Sequence, residues 1–327
     1  MSLSGRALAL VFGVEATYGT DPESYDTIGM IQGEPTITID NQVVNIFAGG
    51  RIDSRAIVAG PQMVSGRFDY IVQDGNFITA SIGTFDTTSP VTNTSNYIHY
   101  GCSEDSTSTE TVPVEYESES YTLKFGLTAT DNATVTGCKT NSITLTMGLE
   151  EPMRASVEWI GKLVANDEDT QTVVEVDAGP WMYHDKGTFK INNVAQTGLS
   201  DIVVTVNNNL KREFGALPAA NERTLTALHQ GPRAITGTVT LNYADDTVFD
   251  LMNASTELDI DYLLDNEAVE TVVGYRGIFM DMKECRLSGL ADRTHPIDGN
   301  VCKETFPFTV RHIDCKYYDA TASDAFS

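Results

Sequence analysis

Apolar and polar residues alternate along most of this chain. The period of two is clear in Thr36-Ile-Thr-Ile-Asp40, Gly66-Arg-Phe-Asp-Tyr-Ile-Val72, Tyr121-Thr-Leu-Lys-Phe125 and Ser142-Ile-Thr-Leu-Thr-Met147. It returns in Arg154-Ala-Ser-Val-Glu-Trp-Ile160, Ile202-Val-Val-Thr-Val206, Thr236-Gly-Thr-Val-Thr-Leu241, Leu258-Asp-Ile-Asp-Tyr262 and Phe306-Pro-Phe-Thr-Val310. A pleated strand sends successive side chains to opposite faces, so this pattern predicts half-buried strands, and threonine, valine, isoleucine and aromatics suit that surface. Turn residues such as Asp74-Gly75 and Asp131-Asn132 separate the runs. Helical spacing is scarce. It is best at Asn76–Ile82 and Val248–Ala254, each after an acidic turn. An all-β chain with one short helix per half is expected.

The strands come in two similar series. Gly60-Pro-Gln-Met-Val-Ser-Gly-Arg-Phe-Asp-Tyr70 aligns without gaps to Gly231-Pro-Arg-Ala-Ile-Thr-Gly-Thr-Val-Thr-Leu241, an offset of 171 residues (231 minus 60). The same offset carries Asp74 onto Asp245 and Phe77 onto Val248. Upstream, Thr36-Ile-Thr-Ile-Asp-Asn-Gln42 matches Val203-Val-Thr-Val-Asn-Asn-Asn209 at an offset of 167 (203 minus 36), so the second copy carries a four-residue insertion. Downstream, Tyr121–Leu127 partners Leu258–Leu264. Two tandem β-domains are therefore expected, each of ordinary domain size. The expected divisions are an N-terminal arm over 1–30, a first domain over 31–165, an acidic linker over 166–177 and a second domain over 178–327. A Ser/Thr-rich insertion near 84–119 reads either as a disordered loop or as a segment that orders on a neighbour.

Charge narrows the function. The 327 residues hold 46 Asp and Glu against 21 Lys and Arg, a formal charge of −25. Such a surface repels nucleic acid, which disfavours a sequence-reading binder. The acid excess fits either a high-salt habitat or plain solubility. The cysteines (Cys102, Cys138, Cys285, Cys302 and Cys315) form no C-x-x-C pair and are odd in number, so reduced thiols are expected rather than a zinc site or disulfide framework. His99, His184, His229, His295 and His312 are scattered, and no metalloprotease, nucleophile-elbow, Walker or dinucleotide motif appears. Asp259 and Asp261 share one side of a strand, as metal or acid–base chemistry wants, but a solvated strand face explains them more simply. Neither signal peptide nor membrane span is expected, since the apolar run from Ala7 to Val14 is short and Glu15 interrupts it. No enzyme, metal or cofactor is expected.

Three segments resemble the tail tube proteins of long-tailed, siphovirus-like viruses of bacteria and archaea. They are Val14-Glu-Ala-Thr-Tyr-Gly-Thr-Asp-Pro22; Val206-Asn-Asn-Asn-Leu-Lys-Arg-Glu-Phe214 with Gly231–Gly237 and Asp245–Leu251; and the echo of the latter at Gly60–Ser81. The resemblance implies two tandem tail-tube-type β-sandwich or squat-barrel domains, each with one short flanking helix, with six such domains to a ring. Two domains per chain then imply homotrimeric pseudo-sixfold rings, with a ring of six whole chains as the alternative. Stacked rings would form a tube, because a head-to-tail contact that does not close builds a filament. The implied partners are the chain itself, tail terminator, tape-measure and baseplate proteins, and viral DNA passing without sequence-specific contact; no membrane is implied. Glu15, Tyr18 and Gly19 are the candidates for inter-ring contact, against the alternative of a frayed terminus. Arg212, Phe214 and Arg233 are candidates for inter-subunit contact, against ordinary surface residues. Glu115, Glu117, Asp259 and Asp261 are candidates for a negative lumen past which DNA slides. The rival readings are another virion structural protein, such as a tail terminator or baseplate hub, a surface-layer subunit, and a carbohydrate-binding or hydrolytic β-sandwich.

Overall fold

The computed structural model describes residues 10–46, 56–73, 75–88, 97–102, 117–126, 132–148, 151–167, 187–214, 225–243, 248, 250–251, 257–270, 274–288, 292–294 and 302–319. In chain order the elements are β1 (Leu10–Val14), β2 (Asp26–Thr27), β3 (Met30–Ile46), β4 (Ala56–Ile71), α1 (Asn76–Ile82), β5 (Thr84–Thr88), β6 (Tyr97–Cys102) and β7 (Tyr121–Gly126). Then come β8 (Asn132–Gly148), β9 (Arg154–Gly161), β10 (Leu163–Asp167), β11 (Thr188–Ile191), β12 (Val194–Ala195), β13 (Leu199–Asn207) and β14 (Lys211–Glu213). The series ends with β15 (Ala227–His229), β16 (Ala234–Asn242), β17 (Leu258–Glu270), β18 (Gly274–Leu287), β19 (Asp292–Thr294), β20 (Lys303–Val310) and β21 (His312–Asp319). The all-β expectation holds. Helix α1 lies where the spacing predicts it, and of the second predicted helix Val248, Asp250 and Leu251 are described, all helical.

One antiparallel sheet runs through both halves in the order β3-β4-β9-β8-β13-β16-β20, with β19 and the end of β18 on the far side of β20. A second sheet, β2-β1-β7-β8-β10, backs the first half. A third, β12-β11-β17-β18-β21-β6-β5, backs the second half. Strands β8 and β18 each serve two sheets, and a left-handed residue marks each change: Gly137 (φ 64°) in β8 and Glu284 (φ 49°) in β18. The thiol after each donates back to a carbonyl, Cys138 to Val135 at 3.4 Å and Cys285 to Met282 at 3.3 Å. The irregularity in β3 between Gln32 and Thr36 has a local cause. Gly33 is left-handed (φ 73°), and Pro35 has no N–H for the ladder.

The inward side chains of all three sheets form one cluster, with Trp159, Phe68, Phe77, Phe125, Phe306 and Phe308 fully buried in it. Each such side chain contributes about 1.5–3 kcal/mol by leaving water. Phe77 of α1 sits against Phe12, Phe68, Tyr70 and Tyr121, while Gly75 beside it abuts Tyr317 of β21. The helix thus wedges between the halves. Gly66 and Gly237 are both required by close approach. A Cβ at Gly66 would strike the Thr36 carbonyl and Trp159, and one at Gly237 would strike the Val203 carbonyl and Phe308.

Three expectations change. Residues 10–14 of the predicted N-terminal arm form the buried strand β1, paired along its length with β7, because Leu10, Val11 and Phe12 belong to the core. The predicted linker starts late, since Asn166 and Asp167 pair with β8 as part of β10. The Ser/Thr-rich segment contains β5 and β6, and β6 docks on β21, so this part of it orders on the other half of its own chain.

Candidate assembly site

The two halves meet at a seam between β8 and β13. Thr144 stands opposite Thr205 there, and their hydroxyls share a hydrogen bond of 3.0 Å. Just past β13, Asn208 is fully buried. Its side-chain N–H groups donate to the carbonyls of Ser81 (3.1 Å) and Thr140 (2.9 Å), and its Oδ1 accepts from Arg233 Nε (2.9 Å). Leu210 N–H donates to Asn141 Oδ1 at 3.1 Å. The β14–β15 hairpin then lays Leu228, with Leu225 just before it, on Ile160, where Tyr18 and Leu210 complete a small apolar cluster.

The continuous sheet ends in two strand edges. Among the described residues, β3 has a strand on one side alone, and no strand lies outside β19. Unpaired edges expose N–H and C=O groups that seek another strand. Ile39 (46% exposed), Val43 (62%) and Ile57 (68%) lie bare on β3 and β4. At the repeat offsets of 167 and 171 (206 minus 39, 210 minus 43, 228 minus 57), their counterparts are Val206, Leu210 and Leu228. Val206 is 0% exposed, Leu228 is 4% exposed, and Leu210 is packed in the cluster on Ile160. The same apolar positions are covered at the internal seam and uncovered at the free edge.

The residues singled out from sequence fall in different places. Glu15 is buried, accepting from Gly19 N–H (2.6 Å), Thr122 Oγ1 (2.7 Å) and Gly137 N–H (2.7 Å). Gly19 is left-handed (φ 75°), and Tyr18 lies under Lys162 Nζ at 5.5 Å from the ring centre. Burial pushes the Tyr18 phenol far up, with the nearby Cys138 and Glu15 adding to the shift. These three residues therefore fold the N-terminal turn onto its own chain. Arg212 lines a groove of about 520 Å³ with Glu158, Trp159 and Ile160, and Phe214 is exposed beyond it. Arg233 belongs to the internal seam. Asn41 aligns with Asn208 in the sequence, and an asparagine repeated in register is the local signal for the buried one.

Of the lumen candidates, Glu115 lies outside the described residues, and Glu117 pairs with Lys139 at 3.0 Å. Asp259 and Asp261 are on β17, in the third sheet. Asp261 stands beside Asp281, whose carboxylate meets Lys283 Nζ at 2.8 Å. Burial first, then hydrogen bonding and repulsion from Asp281, raise the Asp261 carboxyl above its ordinary range. The solvent face of the continuous sheet has another character. One row across it reads Asp69, Ser156, Thr144, Thr205, Thr236 and Thr309, each opposite the next. Thr240 and Thr305 share a further hydroxyl contact at 3.2 Å. Arg67 and Asp69 pair at 3.3 Å on the same face. Hydroxyls dominate this face, and Arg154, Glu158 and Asp201 stand on it as well.

Among the described residues no helix is long and apolar enough to cross a membrane. A family model described as phage tail tube protein matches residues 5–310. No curated protein matches the chain.

Proposed function

The chain belongs to the phage tail tube protein family, structural and non-enzymatic components of the virion tail, and from that premise we propose that it closes rings through copies of its own internal seam. The carrying observation is the pair of complementary edges on one continuous sheet: β3 at one end, and β19 with the end of β18 at the other. The two halves are read as tandem copies. Supporting this are the parallel strand orders β3-β4-β9-β8 and β13-β16-β20-β18, the shared Gly66/Gly237 environment and the matching Gly137-Cys138 and Glu284-Cys285 corners. If one half follows another within a chain through β8–β13, the same join between chains brings β3 of one copy against β18–β19 of the next. Closing such a sheet removes both edges.

Three chains then supply six domains per ring, and rings stack head to tail into the tube through which DNA leaves the virion. The lumen face in this reading is the hydroxyl face of the continuous sheet, and Asp259 and Asp261 lie in the backing layer. A wall dominated by threonine and serine hydroxyls offers DNA hydration with little attraction. Tail terminator, tape-measure and baseplate proteins are the further partners.

The register of the join follows from the seam. Thr144 and Asp292 are equivalent, each opposite a strand residue, Ser156 or Thr305, whose own partners Asp69 and Thr240 differ by the repeat offset (240 minus 69 is 171). Thr205 less 167 is Thr38. Thr38 of one chain should therefore face Asp292 of the next. A Thr38→Cys/Asp292→Cys double variant, oxidised after assembly, should give covalent oligomers ending at a closed trimer in denaturing gels. Each single variant should give none. A double variant that never cross-links while still forming rings would sink this join, and closed hexamers would replace the trimer.

A further inference from the structure

At the internal seam the key polar contact is a clasp. Asn208 reaches out of its own half to the carbonyls of Ser81 and Thr140, and Arg233 holds its oxygen in place. Burying an amide without partners is costly, so a fully buried asparagine with its oxygen and amide both bonded marks a contact that fixes register as well as affinity. The free edge carries the same device. Asn41 and Asn208, and Gln62 and Arg233, are separated by the alignment offsets again (208 minus 41 is 167; 233 minus 62 is 171). Gln62 Nε2 donates to Asn41 Oδ1 at 3.0 Å, as Arg233 does to Asn208. The Asn41 oxygen is thus already held, while its amide N–H groups point from an exposed strand and find no partner among the described residues of the chain.

Resting on the ring reading above, we infer that Asn41, oriented by Gln62, is the clasp between chains, and that its occupant is a second copy of this protein. The receiving atom follows from the strand registers. Thr140 lies opposite Trp159, and Leu287 lies opposite Phe308, with Trp159 and Phe308 each filling the space beside its glycine, Gly66 or Gly237. Leu287 therefore stands where Thr140 does, and its carbonyl, at the open end of β18, is the acceptor for Asn41. Ile39, Val43 and Ile57 flank Asn41 as Val206, Leu210 and Leu228 flank Asn208. The bare apolar residues supply the area, and the asparagine sets the position. Gln62 acts as a positioning residue, since it holds the amide without reaching the partner.

The test is sedimentation of wild type, Asn41→Ala and Gln62→Arg over a range of concentrations, alongside urea unfolding of each monomer. Asn41→Ala should raise the concentration needed for assembly about tenfold, the effect of losing one buried hydrogen bond per join. Its urea midpoint should match wild type. Gln62→Arg, which copies the internal pair, should assemble at wild-type concentration or below. Asn208→Ala is the control, lowering the monomer midpoint clearly. Assembly of Asn41→Ala at the wild-type concentration would overturn the clasp and leave the ring standing. So would a fall in its monomer midpoint as large as that of Asn208→Ala. A wild-type chain that remains monomeric throughout would overturn both readings.

Discussion

Glu15→Ala should be among the most damaging single changes available outside the apolar core. The Glu15 carboxylate is buried and receives three donors from three parts of the chain: Gly19 in its own turn, Thr122 on β7 and Gly137 at the corner of β8. Hydrogen bonds to a charged group contribute about 1.5–3 kcal/mol each, and donors left bare in the interior cost a similar amount. Desolvating the carboxylate offsets part of that sum, so a net loss of about 3–5 kcal/mol is expected. Glu15→Gln keeps the shape but turns an amide N–H toward at least one donor, and should cost about 2–3 kcal/mol. Urea unfolding of the monomer, followed by tryptophan fluorescence, reads both values. In thermal unfolding each kcal/mol corresponds to about 2 °C in a chain of this size. A Glu15→Ala midpoint within about 1 kcal/mol of wild type would refute the reasoning, as would a larger loss for Gln than for Ala.

Two further outcomes follow from titratable groups. The raised Asp261 carboxyl contributes stability that is fully present below its unfolded value of about 3.9 and is lost as pH rises through its higher folded value. Asp261→Asn should therefore match wild type near pH 3 and gain a few tenths of a kcal/mol by pH 7, a small figure because the site is partly exposed; a variant less stable at pH 7 would contradict the sign. Burial pushes the Cys285 thiol up to about 12, and Cys138 and Cys315 are equally enclosed. A disulfide-exchange reagent should modify these three thiols no faster than the chain opens in urea, and rapid labelling of any of them in the folded protein would show a looser core.

The strands were largely legible because their signal is local. Ile202, Val204 and Val206 recur at every second position, and they are the buried face of β13. The aligned glycines Gly66 and Gly237 were equally plain in the sequence, and each lies against an aromatic ring, Trp159 or Phe308. Pairing over long distances left no such trace. Leu10–Val14 read as an arm because its partner, Tyr121–Gly126, lies over a hundred residues away. The docking of β6 on β21 joins segments from opposite halves, and nothing in Tyr97–Cys102 names His312–Asp319 as its partner. Polar residues were the least legible. Glu15 stood in a recognisable motif, yet its role depends on Gly137 and Thr122, which reach it through the fold. Asn41 and Asn208 are the same letter in the same register, and exposure on one side with burial on the other is what separates a free contact from a made one.

Under the proposed ring, one chain supplies two equivalent segments. Electron microscopy of assembled tubes, averaged down the axis, counts those segments. Three chains per ring, with threefold symmetry and six similar density lobes around a hollow centre, is the result expected. Six whole chains per ring, or three lobes in place of six, would contradict it.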